Sequence, residues 1–190
     1  MGRVLGFVGW PCAGKDEAAE YLKRVHEAVR FGHSDFIRRL AAEQGNWSPQ
    51  TQQLSALFEA QAAQHGYGWI AKQVSEAVIE LWTREPRRLV VVSGVRNLAE
   101  VEVYRELSGF ELVKLKADFE VRYQRWANRK RDGEGQDLSR EALCAIEALP
   151  GNANIPDLMQ IDGPVIINNG HNKRDFHLAL DQLIHQGGGV

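Results

Sequence analysis

A short apolar run, Val4-Leu5-Gly6-Phe7-Val8, opens straight into Gly9-Trp10-Pro11-Cys12-Ala13-Gly14-Lys15, and no other stretch constrains the fold as strongly. An apolar run of this length bounded by glycine predicts a buried strand. The loop behind it carries two glycines with four residues between them and a lysine directly after the second. A loop that wraps an anion with backbone N–H groups needs glycine where a side chain would block the approach or where φ must turn positive. From Asp16 to Arg30, apolar residues Ala18, Ala19, Tyr21, Leu22, Val25 and Val29 recur at helical spacing. The helix so predicted points the positive end of its dipole at the same anion. Strand, loop and helix in this order predict a cradle for a nucleoside triphosphate, with Lys15 reaching the β- and γ-phosphates. The predicted nucleotide contacts are Gly9, Pro11, Cys12, Ala13, Gly14, Lys15, Asp16 and Glu17. Asp16 stands where a Ser or Thr usually meets Mg²⁺. A carboxylate can take that role directly or through water, and an acid there also suits the helix dipole.

Further strands are predicted at Val29-Arg30-Phe31, Leu89–Val92, Phe110–Lys116 and Pro164–Asn168. The continuous apolar character of Leu89–Val92 suits the middle of a parallel sheet. Helices are predicted between them: Phe36–Gln44, a helix capped by Ser48-Pro49 and running to about Gln64, and Tyr67–Arg84. An Asn97/Glu100 capping pair starts another, a basic helix runs from Asp118 to about Arg131, Ser139–Ala148 follows, and a closing helix starts at Asn172. The alternation predicts a single α/β domain of three layers, a parallel sheet with helices on both faces. Residues 36–84 form a helical insertion between two strands, the expected place for a substrate site. The 190 residues are 44% hydrophobic and 25% charged, enough for one full core. A net charge of −2 disfavours nucleic acid and anionic lipid as partners, and no apolar run approaches the roughly 20 residues of a membrane span. Two cysteines, Cys12 and Cys144, build no disulfide framework, which predicts a reducing compartment and the cytoplasm. His171, His177 and His185 follow no zinc-ligand spacing. Monomer and homodimer both stay open.

In this order the segments resemble P-loop kinases of the nucleoside-monophosphate-kinase-like branch, close to phage-type deoxynucleoside monophosphate kinases and to an archaeal group of dephospho-CoA-kinase-like nucleotide kinases. Gly14-Lys15-Asp16 is similar to the loop of the deoxynucleotide kinases. Asp35-Phe36-Ile37-Arg38 resembles the segment that holds the acceptor. Ser93-Gly94-Val95-Arg96 with Glu100-Val101-Glu102 resembles the segment after the third strand. Arg122-Tyr123-Gln124-Arg125, Arg129 and Arg131-Asp132 are similar to the archaeal lid, and Asn168-Asn169-Gly170 resembles the turn beside adenine. Two positions depart from these patterns. Ser93 replaces the usual strand-end Asp, and Ala145-Ile146-Glu147-Ala148-Leu149 lacks the arginines that follow the archaeal lid.

The resemblance implies ATP and Mg²⁺ as cofactors and a small nucleotide-like acceptor. A nucleoside or deoxynucleoside monophosphate comes first, and transfer to a hydroxyl as in dephospho-CoA second. A nucleotide-binding regulatory protein with little turnover is the reading outside catalysis. Phosphoryl transfer is largely positioning and charge neutralisation. The candidate catalytic residues are therefore Lys15, Asp35, Arg96, Arg125 and Arg129. Arg122, Asn169 and Gly170 join the nucleotide set, and Arg122, Arg125 and Arg129 share a helix face within a lid at 122–140. Asp35, Arg38 and Arg96 are placed with the acceptor. Arg96 would clamp a phosphate or pair with Glu100 on the surface. Asp35 would serve as a base for a hydroxyl, bind a sugar hydroxyl or Mg²⁺, or cap the helix at Phe36. Asp16 is the candidate metal ligand, its carboxylate replacing the one missing at Ser93.

Overall fold

The computed structural model describes residues 2–128, 138–170 and 173–186. Five strands, β1 (Arg3–Val8), β2 (Val29–Gly32), β3 (Leu89–Ser93), β4 (Phe110–Lys116) and β5 (Val165–Ile167), form one sheet in the order β2-β3-β1-β4-β5. Every neighbouring pair is parallel. β1 therefore lies at the centre, with Leu5 beside Val91 on one side and Glu111 on the other.

Successive side chains on a strand face opposite ways, and the core divides accordingly. Val4 and Val8 of β1 join Val90, Val92 and Leu112 in one cluster, and Leu5 and Phe7 join Val91, Val113 and Leu115 in the other. The second cluster is closed by α1 (Lys15–Val25) and α9 (Lys173–Gln186) through Ala18, Leu22, Phe176 and Leu180. The first is closed by α4 (Trp69–Arg84) and α5 (Leu98–Arg105) through Ile70, Val74, Val78, Val101 and Tyr104. Full burial of a side chain of this size is worth roughly 1.5–3 kcal/mol, so both faces must be covered, and the domain has three layers.

Three helices separate β2 from β3: α2 (His33–Glu43), α3 (Thr51–His65) and α4. α2 starts at His33, straight out of β2, so Asp35 lies in its first turn and Gly32, not Asp35, is the N-cap residue. The α3 cap also differs from expectation. Gln50 and Gln53 form a reciprocal capping box, with Gln50 N–H donating to Gln53 Oε1 at 2.8 Å. These bonds satisfy the helix start two residues after Ser48. The Asn97/Glu100 box that opens α5 is present as expected. After β4 come α6 (Phe119–Ala127) and α7 (Arg140–Glu147), joined by a small core of Trp126, Leu143 and Ile146 that also touches Cys12. A 3-10 turn (Pro150–Asn152) and a short helix α8 (Ile155–Leu158), neither marked by periodicity, lead back to β5. Arg129, Arg131 and the rest of the polar stretch to Asp137 lie outside the described residues, as do His171 and Asn172. Among the described residues no helix is long and apolar enough to cross a membrane.

Candidate functional site

The loop after β1 is held from outside. Gly9 passes so close to β4 that a Cβ there would stand 2.4 Å from the Leu115 carbonyl oxygen. Cys12 has φ 61 and Gly14 φ 106, so the chain turns left-handed twice before α1 begins. A Cβ on Gly14 would meet Asn168 Nδ2 at 2.3 Å. Asn168, at the end of β5, is buried and donates from Nδ2 to the Ala13 carbonyl at 2.9 Å. Arg125 on α6 donates to the Cys12 carbonyl at 3.2 Å and to Asn168 Oδ1 at 3.0 Å. Lys15, the first residue of α1, donates from Nζ to the carbonyls of Gly9 at 2.8 Å and Trp10 at 3.0 Å. With the carbonyls of residues 9, 10, 12 and 13 taken by side-chain donors, what the loop offers an anion is N–H groups and an ammonium. The donor set fits a polyphosphate. Burial pushes the Arg125 guanidinium below its ordinary pKa, with the neighbouring Cys12 acting in the opposite sense.

Asp16 and Ser93 come together at the loop's end, their Oδ1 and Oγ 3.5 Å apart. Strand β3 ends at Ser93 and α1 starts with Asp16 in its first turn, so sheet register alone brings a carboxylate and a hydroxyl to one point. Hard oxygen donors of this kind suit Mg²⁺. Arg30, the second residue of β2, which sequence reasoning missed, spreads over the same place. Its guanidinium reaches Asp35 at 2.9 Å, Glu20 at 3.4 Å and Asp16 at 3.5 Å. Arg38 stands 4.0 Å from the other oxygen of Asp35. Glu17 faces α9 and pairs with Lys173 at 2.6 Å and His177 at 3.0 Å. Burial raises its pKa, but those hydrogen bonds outweigh burial and hold the carboxyl below its usual value.

Beneath Arg96 lies a buried polar chain that the sequence did not announce. Glu100, 1% exposed, accepts from the backbone N–H of Arg96 at 2.8 Å and of Asn97 at 3.1 Å. Its other oxygen stands 3.3 Å from His33 Nδ1, and His33 Nε2 stands 2.6 Å from the Tyr104 hydroxyl. Burial and the nearby Glu100 charge push Tyr104 well above its ordinary pKa, so its O–H stays available to donate. Donation from Tyr104 to Nε2 places the ring proton on Nδ1, facing the Glu100 carboxylate, and the chain ties the start of α2 to the loop that carries Arg96.

A cavity of about 280 Å³ joins these parts. Pro11, Cys12, Gly14, Lys15, Asp16, Glu17, Arg38, Arg96 and Arg125 line it, together with Ser93, His33 and Glu100. Asp35 lines an adjoining, more open hollow that shares Asp16, Ser34 and Arg38 with the first. Three predicted residues stand elsewhere. Arg122 is buried and committed to Glu147 on α7 and, through Nε, to the Ala117 carbonyl at 3.0 Å. Asn169 accepts from the Asp118 N–H at 2.8 Å, an anchor for the start of α6, and Gly170 follows it at the surface. Arg129 lies outside the described residues.

The sheet order and the glycine loop define a P-loop domain with a kinase-like fold. Residues 5–148 match the AAA domain family. A UPF0200 protein from Methanoregula boonei is 30% identical across 96% of this chain and 96% of its own length. One from Halobacterium salinarum is 32% identical across 96% and 92%. The chain belongs to the UPF0200 family, within this P-loop class. Among solved structures, shikimate kinase from Acinetobacter baumannii superposes with a TM-score of 0.60 at 15% identity, covering 100% of this chain and 97% of that one. TT1252 from Thermus thermophilus superposes with a TM-score of 0.62 at 20% identity, covering 99% of each. At such identities the likeness is one of fold.

Proposed function

We propose that this protein is an ATP·Mg²⁺-dependent phosphotransferase whose acceptor is a small nucleotide, a nucleoside or deoxynucleoside monophosphate first. One observation carries the reading: the cavity that begins at Lys15, Asp16 and Ser93 also receives two further arginines, Arg38 and Arg96. A phosphate acceptor brings its own negative charge to an already anionic donor, and cations must offset the repulsion. Loop N–H groups and Lys15 would hold the β- and γ-phosphates, Lys15 leaving the Gly9 and Trp10 carbonyls to do so. Asp16 and Ser93 carry the oxygens that would hold Mg²⁺, which supplies charge neutralisation when bound. Arg96, fixed from behind by Glu100, and Arg38 on α2 would clamp the acceptor phosphate. An oxygen of that phosphate is anionic at neutral pH and needs no base. It forms the new P–O bond as the β–γ bridging bond breaks, and ADP leaves with the bridging oxygen. Asp35, held by Arg30, then serves to orient α2 rather than to remove a proton.

The test is transfer from γ-labelled ATP with Mg²⁺ to a panel of nucleoside and deoxynucleoside monophosphates, dephospho-CoA and small alcohols. Labelled nucleoside diphosphate is the expected product, and Lys15→Met abolishes it. Transfer confined to a hydroxyl would replace the acceptor. Tight ATP binding with no transfer to any member would leave a nucleotide-binding regulator.

A further inference from the structure

The cavity does not end at the arginines. Its remaining wall comes from α3, α4, α6, α7 and the turn after α7; Leu54, Phe58, Ile70, Trp126, Ile146 and Leu149 supply its apolar part. In this wall the 3-10 turn packs against α3, where a Cβ on Gly151 would make an ordinary contact with Ser55 Oγ at 3.6 Å. The next residue, Asn152, also lines the cavity and is 1% exposed. Its Nδ2 donates to the Ile146 carbonyl at 2.7 Å. Among the described residues its Oδ1 has no hydrogen-bond partner. The donation to Ile146 sets which way the amide faces, because an oxygen turned toward that carbonyl would meet another acceptor. Buried acceptors without a partner are costly and uncommon, and one beside a ligand cavity calls for a donor from the ligand.

We propose that Asn152 is a specificity-determining residue that reads an N–H at the edge of a flat heteroaromatic ring, the nucleobase of the acceptor. This rests on the monophosphate reading above and narrows it. Thr51 and Ser55 also line the α3 side, but two hydroxyls cannot pair all those of a polyhydroxylated acceptor, whose remainder would face apolar side chains and lose their hydrogen bonds with water. A nucleobase has two apolar faces and a polar edge, which suits branched and aromatic walls with one amide oxygen. Its phosphate then lies toward Arg38 and Arg96, and its ring toward the α3 side of the cavity.

The experiment is calorimetric titration of the protein, loaded with a non-hydrolysable ATP analogue and Mg²⁺, with AMP, CMP, UMP and GMP. Whichever binds best is compared with its analogue lacking the edge N–H, such as purine riboside 5′-monophosphate for AMP. In the unmodified protein, loss of the N–H is expected to weaken binding about fivefold, the worth of one net hydrogen bond. In Asn152→Leu the two ligands bind equally, and affinity for the ATP analogue is unchanged. Should the leucine variant not fold, the smaller Asn152→Ala is expected to bind the two ligands equally. Equal binding of the pair by the unmodified protein, or a preference undiminished in Asn152→Leu, overturns the assignment. Failure of every monophosphate to bind overturns it too. A monophosphate bound with N–H dependence but never phosphorylated refutes the kinase and leaves Asn152 in its role. Phosphorylation indifferent to Asn152 does the reverse.

Discussion

Truncating Glu147 to alanine is expected to destabilise the protein by about 3 kcal/mol, and the figure follows from what Arg122 would lose. The Arg122 side chain is 8% exposed and that of Glu147 16%. Without the carboxylate, the buried guanidinium keeps, among the described residues, the Ala117 carbonyl at 3.0 Å, the face of Phe119 at 5.4 Å and the attraction of the Asp118 carboxylate. Breaking a buried ion pair from one side costs about 3–5 kcal/mol, and the partial exposure of Glu147 places this pair at the low end. In a chain of this length that corresponds to a fall in Tm of about 6–12 °C. Urea denaturation followed by circular dichroism should show a lower midpoint at an unchanged slope. The double variant Arg122→Met/Glu147→Leu replaces the pair with apolar groups of similar length and is expected to recover most of the loss. A loss below about 1 kcal/mol for Glu147→Ala would refute the claim that burial makes this pair structural. A double variant that folds normally but binds ATP tenfold more weakly would return Arg122 to the nucleotide set where its motif first put it.

Gly9→Ala drives a Cβ to 2.4 Å from a strand carbonyl, so a loss of roughly 2–3 kcal/mol is expected together with loss of ATP binding, read by thermal melts with and without nucleotide. Asp16→Ser is expected to raise the Mg²⁺ concentration for half-maximal activity about 10- to 100-fold, and adding Ser93→Asp to restore it in part. An unmoved Mg²⁺ dependence would remove Asp16 from the metal site. Asp181 on α9 bonds His26 at 2.7 Å and the Tyr21 hydroxyl at 2.9 Å. The His26 bond is the main cause of its depressed pKa, opposed by burial and aided by Tyr21. A carboxyl depressed in the folded state contributes stability above its unfolded pKa, and loses it as pH falls through the folded value. Asp181→Asn should therefore lower stability at neutral pH and flatten the decline below about pH 4. Parallel pH–stability curves for the two proteins would contradict this.

The phosphate cradle was legible before any coordinates, because strand, glycine loop and helix are consecutive and each is set by neighbours a few residues away. The Asn97/Glu100 box and the whole of β4 were legible for the same reason. α3 shows the limit even locally: Ser48-Pro49 has the expected chemistry, yet Gln50 and Gln53 cap the helix by bonding each other. Arginine chemistry was visible at Arg122 and Arg125 alike, and spacing could not divide them. One turns to Glu147, 25 residues on, and the other to Cys12 and Asn168 across the fold. Arg30 gave no local signal, since the carboxylates it gathers come from α1 and α2. His33, Glu100 and Tyr104 meet only because α2 and α5 both run back from the same edge of the sheet.

The sequence alone thus determined that strand, P-loop and helix stand near residue 9 and that a parallel α/β sheet follows, since glycine, strand and helix propensities act over a few residues. The tertiary structure alone decided which arginines face the cavity, which carboxylates they neutralise, and that Asn152 borders the site with an oxygen unpaired among the described residues. Those outcomes depend on contacts between segments far apart in the chain, which burial and sheet register select and residue spacing does not record.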